Sequence, residues 1–236
     1  MTEHTHKQFD AEMESIRSGV LTMGGLVETQ LGRAILLLGA EQEPGGLIDR
    51  VGADEQLINR MQVDMDQLCS QIIAKRQPAA IDLRMILTVT KIVNDLERIG
   101  DETKKVAYKA SQAGGHGRLA QVRVYDVSRA AERARDMLQR ALDAFARLDV
   151  DAAAEVIDLD DEIDAAFSAV LRQLISYMME DPRTIGASLE IVFMAKSIER
   201  IGDHAKNIAE AVVQAVKGTD VRHATAAEIR AEVAGP

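Results

Sequence analysis

Tryptophan is absent from this chain, and four phenylalanines and three tyrosines are all its aromatic residues, so the 47% apolar content is largely aliphatic. That content suffices for a well-buried core over 236 residues. The single cysteine, Cys69, excludes an internal disulfide. Basic residues are outnumbered, 28 against 38 acidic, and the net charge of -10 argues against a nucleic-acid surface. Cations or basic patches on a partner suit such a molecule better. The longest apolar run, Ala34 to Ala40, is far short of the roughly 18 to 20 residues that cross a bilayer, which excludes direct membrane insertion. The polar start MTEHTHKQFDAE lacks the apolar run of a secretory signal, so a cytoplasmic location is expected. Also missing are a Cys/His zinc pattern, a phosphate-binding glycine loop, a Gly-x-Ser-x-Gly nucleophile and the Glu-x-x-His of di-iron oxidases.

What is present is a repeat. The phrase LERIGD (Leu96–Asp101) returns as IERIGD (Ile198–Asp203), each late in an amphipathic stretch. Glu97 and Glu199 are 102 residues apart (199 − 97), close to half the chain, so the phrase marks equivalent places in two copies of one unit.

Apolar residues recur in steps of three and four, the pattern of long packed helices. One stripe runs through Phe9, Met13, Ile16, Val20, Met23, Val27, Leu31 and Leu38, predicting a helix from about Phe9 to Glu41. The breaker Glu43-Pro44-Gly45-Gly46 follows, then a second helix through Leu57, Met61, Met65, Leu68 and Ile72, ended by Pro78. A third begins near Asp82, carries the first phrase and dissolves at Gly114, Gly115 and Gly117, the natural boundary. The second half repeats the plan: a fourth helix pauses near Leu148 to Asp151, a fifth reaches Glu180, and a sixth follows Pro182 and carries the second phrase. No convincing strand pattern appears. The expected fold is all-α, two tandem three-helix bundles, with residues 1–114 as the first, 118–216 as the second and 217–236 as a C-terminal tail that forms a short helix or stays mobile.

In each phrase a Glu and an Asp stand at i and i+4, on one helical face. Glu97 with Asp101, and Glu199 with Asp203, repel each other unless a cation sits between them. Hard divalent cations take oxygen ligands, here magnesium, manganese, iron or zinc. One pair supplies too few, and Asp64, Asp66, Asp95, Glu102, Asp158, Asp160, Asp161 and Asp164 are further candidates. A solvated acidic face is the competing reading. Lys105, four residues after Asp101, is placed to neutralise it, whereas the second copy has Asn207 there, a candidate oxygen ligand. His204, next to Asp203, is expected on the surface. Gly100 and Gly202 inside helices suggest close approach by another backbone or by an ion, with helix packing the commoner cause; Gly24-Gly25 suggests a helix contact or a kink.

Several segments together resemble the PhoU regulators of bacterial phosphate uptake: FDAEMESIRSGVLTMGGLVE (Phe9–Glu28), IIAKRQP (Ile72–Pro78), LERIGD, LDAFARLDVDAA (Leu142–Ala153), RQLISYMMEDPRTI (Arg172–Ile185), SIERIGDHAKNI (Ser197–Ile208) and VKGTDVRH (Val216–His223). The resemblance implies two three-helix bundles, a cytoplasmic homodimer and a Glu/Asp-x-x-x-Asp metal motif, which falls on Glu97 with Asp101 and on Glu199 with Asp203. It implies a regulatory adaptor, not an enzyme, that links the ATPase subunit of the phosphate ABC transporter to a sensor histidine kinase and damps phosphate-starvation gene expression. A metal-dependent enzyme using the repeated acids to activate water is the alternative. A helical spacer is a third reading, and it leaves the motif unexplained.

Overall fold

The computed structural model describes residues 2–40, 45–113, 118–222, 224 and 226–234. Glu41, the Glu43-Pro44 part of the first breaker, the glycines 114, 115 and 117 with His116, and His223 lie outside the described residues, as do the side chains of His4 and His6. The protein is all-α, and no strand occurs among the described residues. Six long helices run as α1 (Thr2–Leu38), α2 (Leu47–Arg76), α3 (Ala80–Ala113), α4 (Arg118–Arg147), α5 (Val150–Glu180) and α6 (Ile185–Lys217), and a short α7 (Ala226–Ala234) closes the tail. The first helix thus starts ahead of Phe9, and the tail forms the short helix Ala226–Ala234.

Local chemistry accounts for the breaks. Gln77 adopts a left-handed φ of 49° and donates its N–H to the Ile73 carbonyl at 3.0 Å, closing α2 just before Pro78. Asp149 caps α5 by accepting from the Ala152 N–H at 3.0 Å. Asp181 caps a single 3₁₀ turn, Pro182–Thr184, from which α6 starts. Gly218, at φ 84°, ends α6 in a conformation that side chains rarely adopt.

Helices α1, α2 and α3 pack on one another, as do α4, α5 and α6. The most extensive helix contact, however, is α3 against α6, across the two bundles, and α1 also packs on α4. Both crossings are antiparallel, since Arg17 reaches the Ala146 carbonyl, Gly24 meets Leu142, Lys91 bonds Gln214 and Lys109 bonds Glu190. Four helices, α1, α3, α6 and α4, therefore form a closed ring, with α2 and α5 flanking it. The core runs unbroken through that ring, from Val20, Val27 and Leu31 through Val89 and Leu96 to Leu138, Phe145, Ile201 and Val212. Gly24 is one of its contact points: a Cβ there would lie 2.6 Å from a Leu142 methyl, so Gly24 serves a helix contact, whereas a Cβ on Gly25 would meet nothing within 4 Å.

Candidate functional site

The two repeated phrases build two acidic clusters, each at the seam between the phrase helix and its outer neighbour. In the second copy, α6 closes tightly on α5 at Gly202, where a Cβ would come within 2.9 Å of Ile163 Cδ1. The absent side chain lets Glu199 and Asp203 face Asp160 and Asp164 of α5. One carboxylate oxygen from each of Asp164, Glu199 and Asp203 lies within 4.8 Å of the others. Asp160 is buried beside them, and Lys206 donates to its Oδ2 at 2.7 Å while Lys196 donates to Glu199 Oε1 at 2.5 Å. Even so, Asp160 Oδ1 and Glu199 Oε2 are buried with no hydrogen-bond partner among the described residues. Burial pushes the Asp203 carboxyl up, and the charges of Glu199, Asp160 and Asp164 push it further; Asp164 is raised first by burial, then by Asp160 and Glu199. Burial works against the Lys206 charge, but the hydrogen bond and charge of Asp160 outweigh it and hold the ammonium above its ordinary value.

The first copy is drier and differently composed. Asp101 of α3 meets Glu55 of α2, whose side chain is almost wholly buried, while Glu97 lies against Asp101 and, at 3.7 Å, Arg98. Gln30 of α1 donates to Glu55 Oε2 at 3.1 Å and to the Val51 carbonyl at 3.3 Å. Burial, then a hydrogen bond shared with Asp101, drives Glu55 up to about 7, against the pull of Gln30. Glu97 is raised by burial and by Asp101. Glu55 Oε1 and the side-chain oxygen of Gln30 are buried without partners among the described residues. Gly100 leaves room for this arrangement, since a Cβ there would sit 3.1 Å from Glu55 Oε2 and 3.2 Å from Ile58 Cδ1.

Three expectations about the flanking residues are corrected. Lys105 does not neutralise Asp101; it donates to Glu102 Oε1 at 2.8 Å. The Asn207 side chain is turned to the α3 seam instead of being held at the second cluster, its amide nitrogen donating to Asp95 of α3 at 3.2 Å. His204 is half-buried rather than free on the surface: its Nδ1 lies 2.9 Å from Asp95 Oδ1, across the seam between α3 and α6. Glu102 crosses the same seam in the opposite sense, to Ser197 and, at 3.2 Å, to Arg200. Burial alone would raise Glu102, but the bonds from Lys105, Ser197 and Arg200 hold it below the ordinary carboxylate range. Since Asp95 and Ser197 both stand two residues before the motif glutamate, and Glu102 and His204 both follow the motif aspartate, these links are one pair of positions used twice.

Of the further acids considered, Asp160 and Asp164 join the second cluster, and Asp158 instead pairs with Arg230 of α7. Glu55 was missed. Its signal lay in the repeat, because Glu55 precedes Ile58 as Asp160 precedes Ile163, and those isoleucines meet Gly100 and Gly202.

A family model described as the PhoU domain matches residues 20–110 and again 127–212, once over each copy. The chain belongs to the PhoU family. Among PhoU relatives, the phosphate-specific transport system accessory protein PhoU homolog of Pseudomonas aeruginosa is 46% identical over 99% of this chain and 95% of its own length. The PhoU of Escherichia coli K12, named with the same system, is 40% identical over 100% of this chain and 96% of its own. The crystal structure of PhoU from Pseudomonas aeruginosa superposes with a TM-score of 0.83, covering 89% of this chain and all of that one. The PhoU fold extends to a Streptococcus pneumoniae structure at 24% identity, TM-score 0.81, covering 90% of this chain and 99% of that one.

Proposed function

We propose that this protein is a regulatory adaptor of the phosphate-specific transport system. It associates with the ATPase subunit of the phosphate ABC transporter and with a sensor histidine kinase, and it restrains phosphate uptake and the phosphate-starvation response. The observation that carries this reading is full-length similarity to relatives named as accessory proteins of that system. It acts in the cytoplasm as a homodimer; in keeping with a docking role, no helix among the described residues is long and apolar enough to cross a membrane. No catalytic step is assigned to it, and nothing in the family or its named relatives adds to the metal-dependent enzyme alternative. In a deletion strain, phosphate-starvation genes should stay expressed in phosphate-rich medium, and folded variants that bind neither partner should fail to restore repression. Unchanged expression in the deletion strain would refute the adaptor.

The acidic clusters are assigned a divalent cation, magnesium, manganese, iron or zinc. Hard oxygen donors with unpartnered buried atoms fit that role, the second copy through Asp164, Glu199 and Asp203, whose oxygens converge, and the first through Glu97 and Asp101, with Glu55 beside Asp101 and no such convergence of three among the described residues. Manganese titration of wild type should show binding that Glu199→Ala with Asp203→Ala weakens more than Glu97→Ala with Asp101→Ala. Equal losses, or no binding by wild type, would reject the ranking.

A further inference from the structure

The two copies differ sharply at one place, the outer groove between the first and second helices of each bundle. Registers can be matched directly: Leu31, Ala34 and Leu38 stand in α1 as Leu138, Ala141 and Phe145 stand in α4, and Ile58 stands in α2 as Ile163 stands in α5. In this register Met23, Met61 and Met65 stand there in the first copy, Met23 and Met65 buried and Met61 partly buried. The Met65 sulfur reaches so close that a Cβ on Gly19 would lie 2.5 Å away. In the second copy the same three places hold Ala130, Ala166 and Val170, and an open cleft of about 180 Å³ remains. The rim changes too. Thr22 and Leu26 of the first copy are replaced by Arg129 and Arg133, one turn apart on α4.

Those arginines are available. Arg129 has no ion-pair partner among the described residues. Arg133 lies 3.5 Å from Glu162, with both side chains about half exposed, a pairing that water screens. Asp126 lines the same cleft and offsets one charge only. The helix as a whole carries seven arginines against four acids, in a chain with net charge -10.

The geometry points to this cleft as the docking site for an acidic amphipathic helix of a partner protein. An alanine floor between two long helices admits the close approach of a third, whose leucine or methionine side chains would occupy the volume that Met23, Met61 and Met65 fill in the first copy. Glutamates flanking that apolar stripe would meet Arg129 and Arg133, supplying the charge complementarity. This assignment names a surface for the adaptor reading and rests on it for the partner's identity.

The test uses the full chain and two variants, Arg129→Glu with Arg133→Glu, and Ala130→Met with Ala166→Met and Val170→Met, which refills the cleft as the first copy does. The probe is a fluorescent helical peptide with a leucine stripe flanked by glutamates, read by anisotropy. Wild type should bind it, and each variant should lose at least about tenfold in affinity, with the refilled variant melting no lower than wild type. Absence of wild-type binding, or wild-type affinity in either variant, would overturn the site. Binding to phosphatidylglycerol vesicles that needs the arginines but survives refilling would overturn it as well, by showing a membrane contact instead. The same variants are then assayed against the transporter ATPase and the kinase cytoplasmic region. If wild type binds neither, the adaptor reading fails separately; if it binds them and both variants still do, the cleft assignment fails alone.

Discussion

Glu55 shows how a single buried acid can tie stability to ligand. Its pKa of about 7 lies above the ordinary 4.5, so between those values the folded state holds a proton that the unfolded state has released. Stability contributed through this group therefore falls as pH rises from about 4.5 to about 7. Glu55→Gln keeps the shape and removes the titration. Without metal, it should melt above wild type at pH 8 and show a flatter melting profile between pH 5 and 8. A variant whose melting temperature tracks wild type across that range would contradict the assignment. At Gly202 the effect is steric. Gly202→Val should cost about 2 kcal/mol or more by driving methyls into Ile163, and combining it with Ile163→Ala should cost less than the two losses added. Strict additivity in urea denaturation would show that the helices separate freely there.

Among the elements, the number and order of the six long helices and most of their ends were legible from periodicity and punctuation. Pro78 and Pro182 break the chain where their fixed φ and missing N–H require, and the i and i+4 spacing of the repeated acids put each pair on one face. What the spacing could not supply was the identity of the neighbour lying along each direction. His204 does point away from Asp203, but α3 stands there instead of water, and Lys105 meets Glu102 before it reaches Asp101. Glu55 sits on a different helix, outside any local pattern. The tail was illegible for a similar reason: α7 is too short to display a stripe, and it is held by tertiary contacts, with Ile229 buried and Arg230 on Asp158. One element end makes a direct test. Removing the cap with Asp149→Ala should cost about 1 kcal/mol and leave partner binding intact, as chemical denaturation and a pull-down would record. No loss of stability would mean the α4–α5 corner is held by packing alone.

At the scale of the whole molecule, the ring of α1, α3, α6 and α4 ties the halves together. Separate fragments of residues 2–113 and 118–234 would each expose the apolar faces that meet across it, including Leu142 against Gly24 and the α3–α6 seam. Neither fragment should unfold cooperatively as a monomer, and mixing them should restore a 1:1 complex with the far-ultraviolet circular dichroism of the intact chain. Two fragments that are each stable, monomeric and indifferent to one another would show that the seam contributes little.

The ring also bears on ancestry. A chain holding one copy alone could close the same four-helix circuit only by joining a twin, and every residue on the seam would then have to suit both sides at once. Covalent fusion lifts that constraint. Positions that symmetry would have kept identical become free to drift apart, as Glu102 with Ser197 has from His204 with Asp95. Asymmetry of this kind lets one half specialise while its sibling keeps a different arrangement.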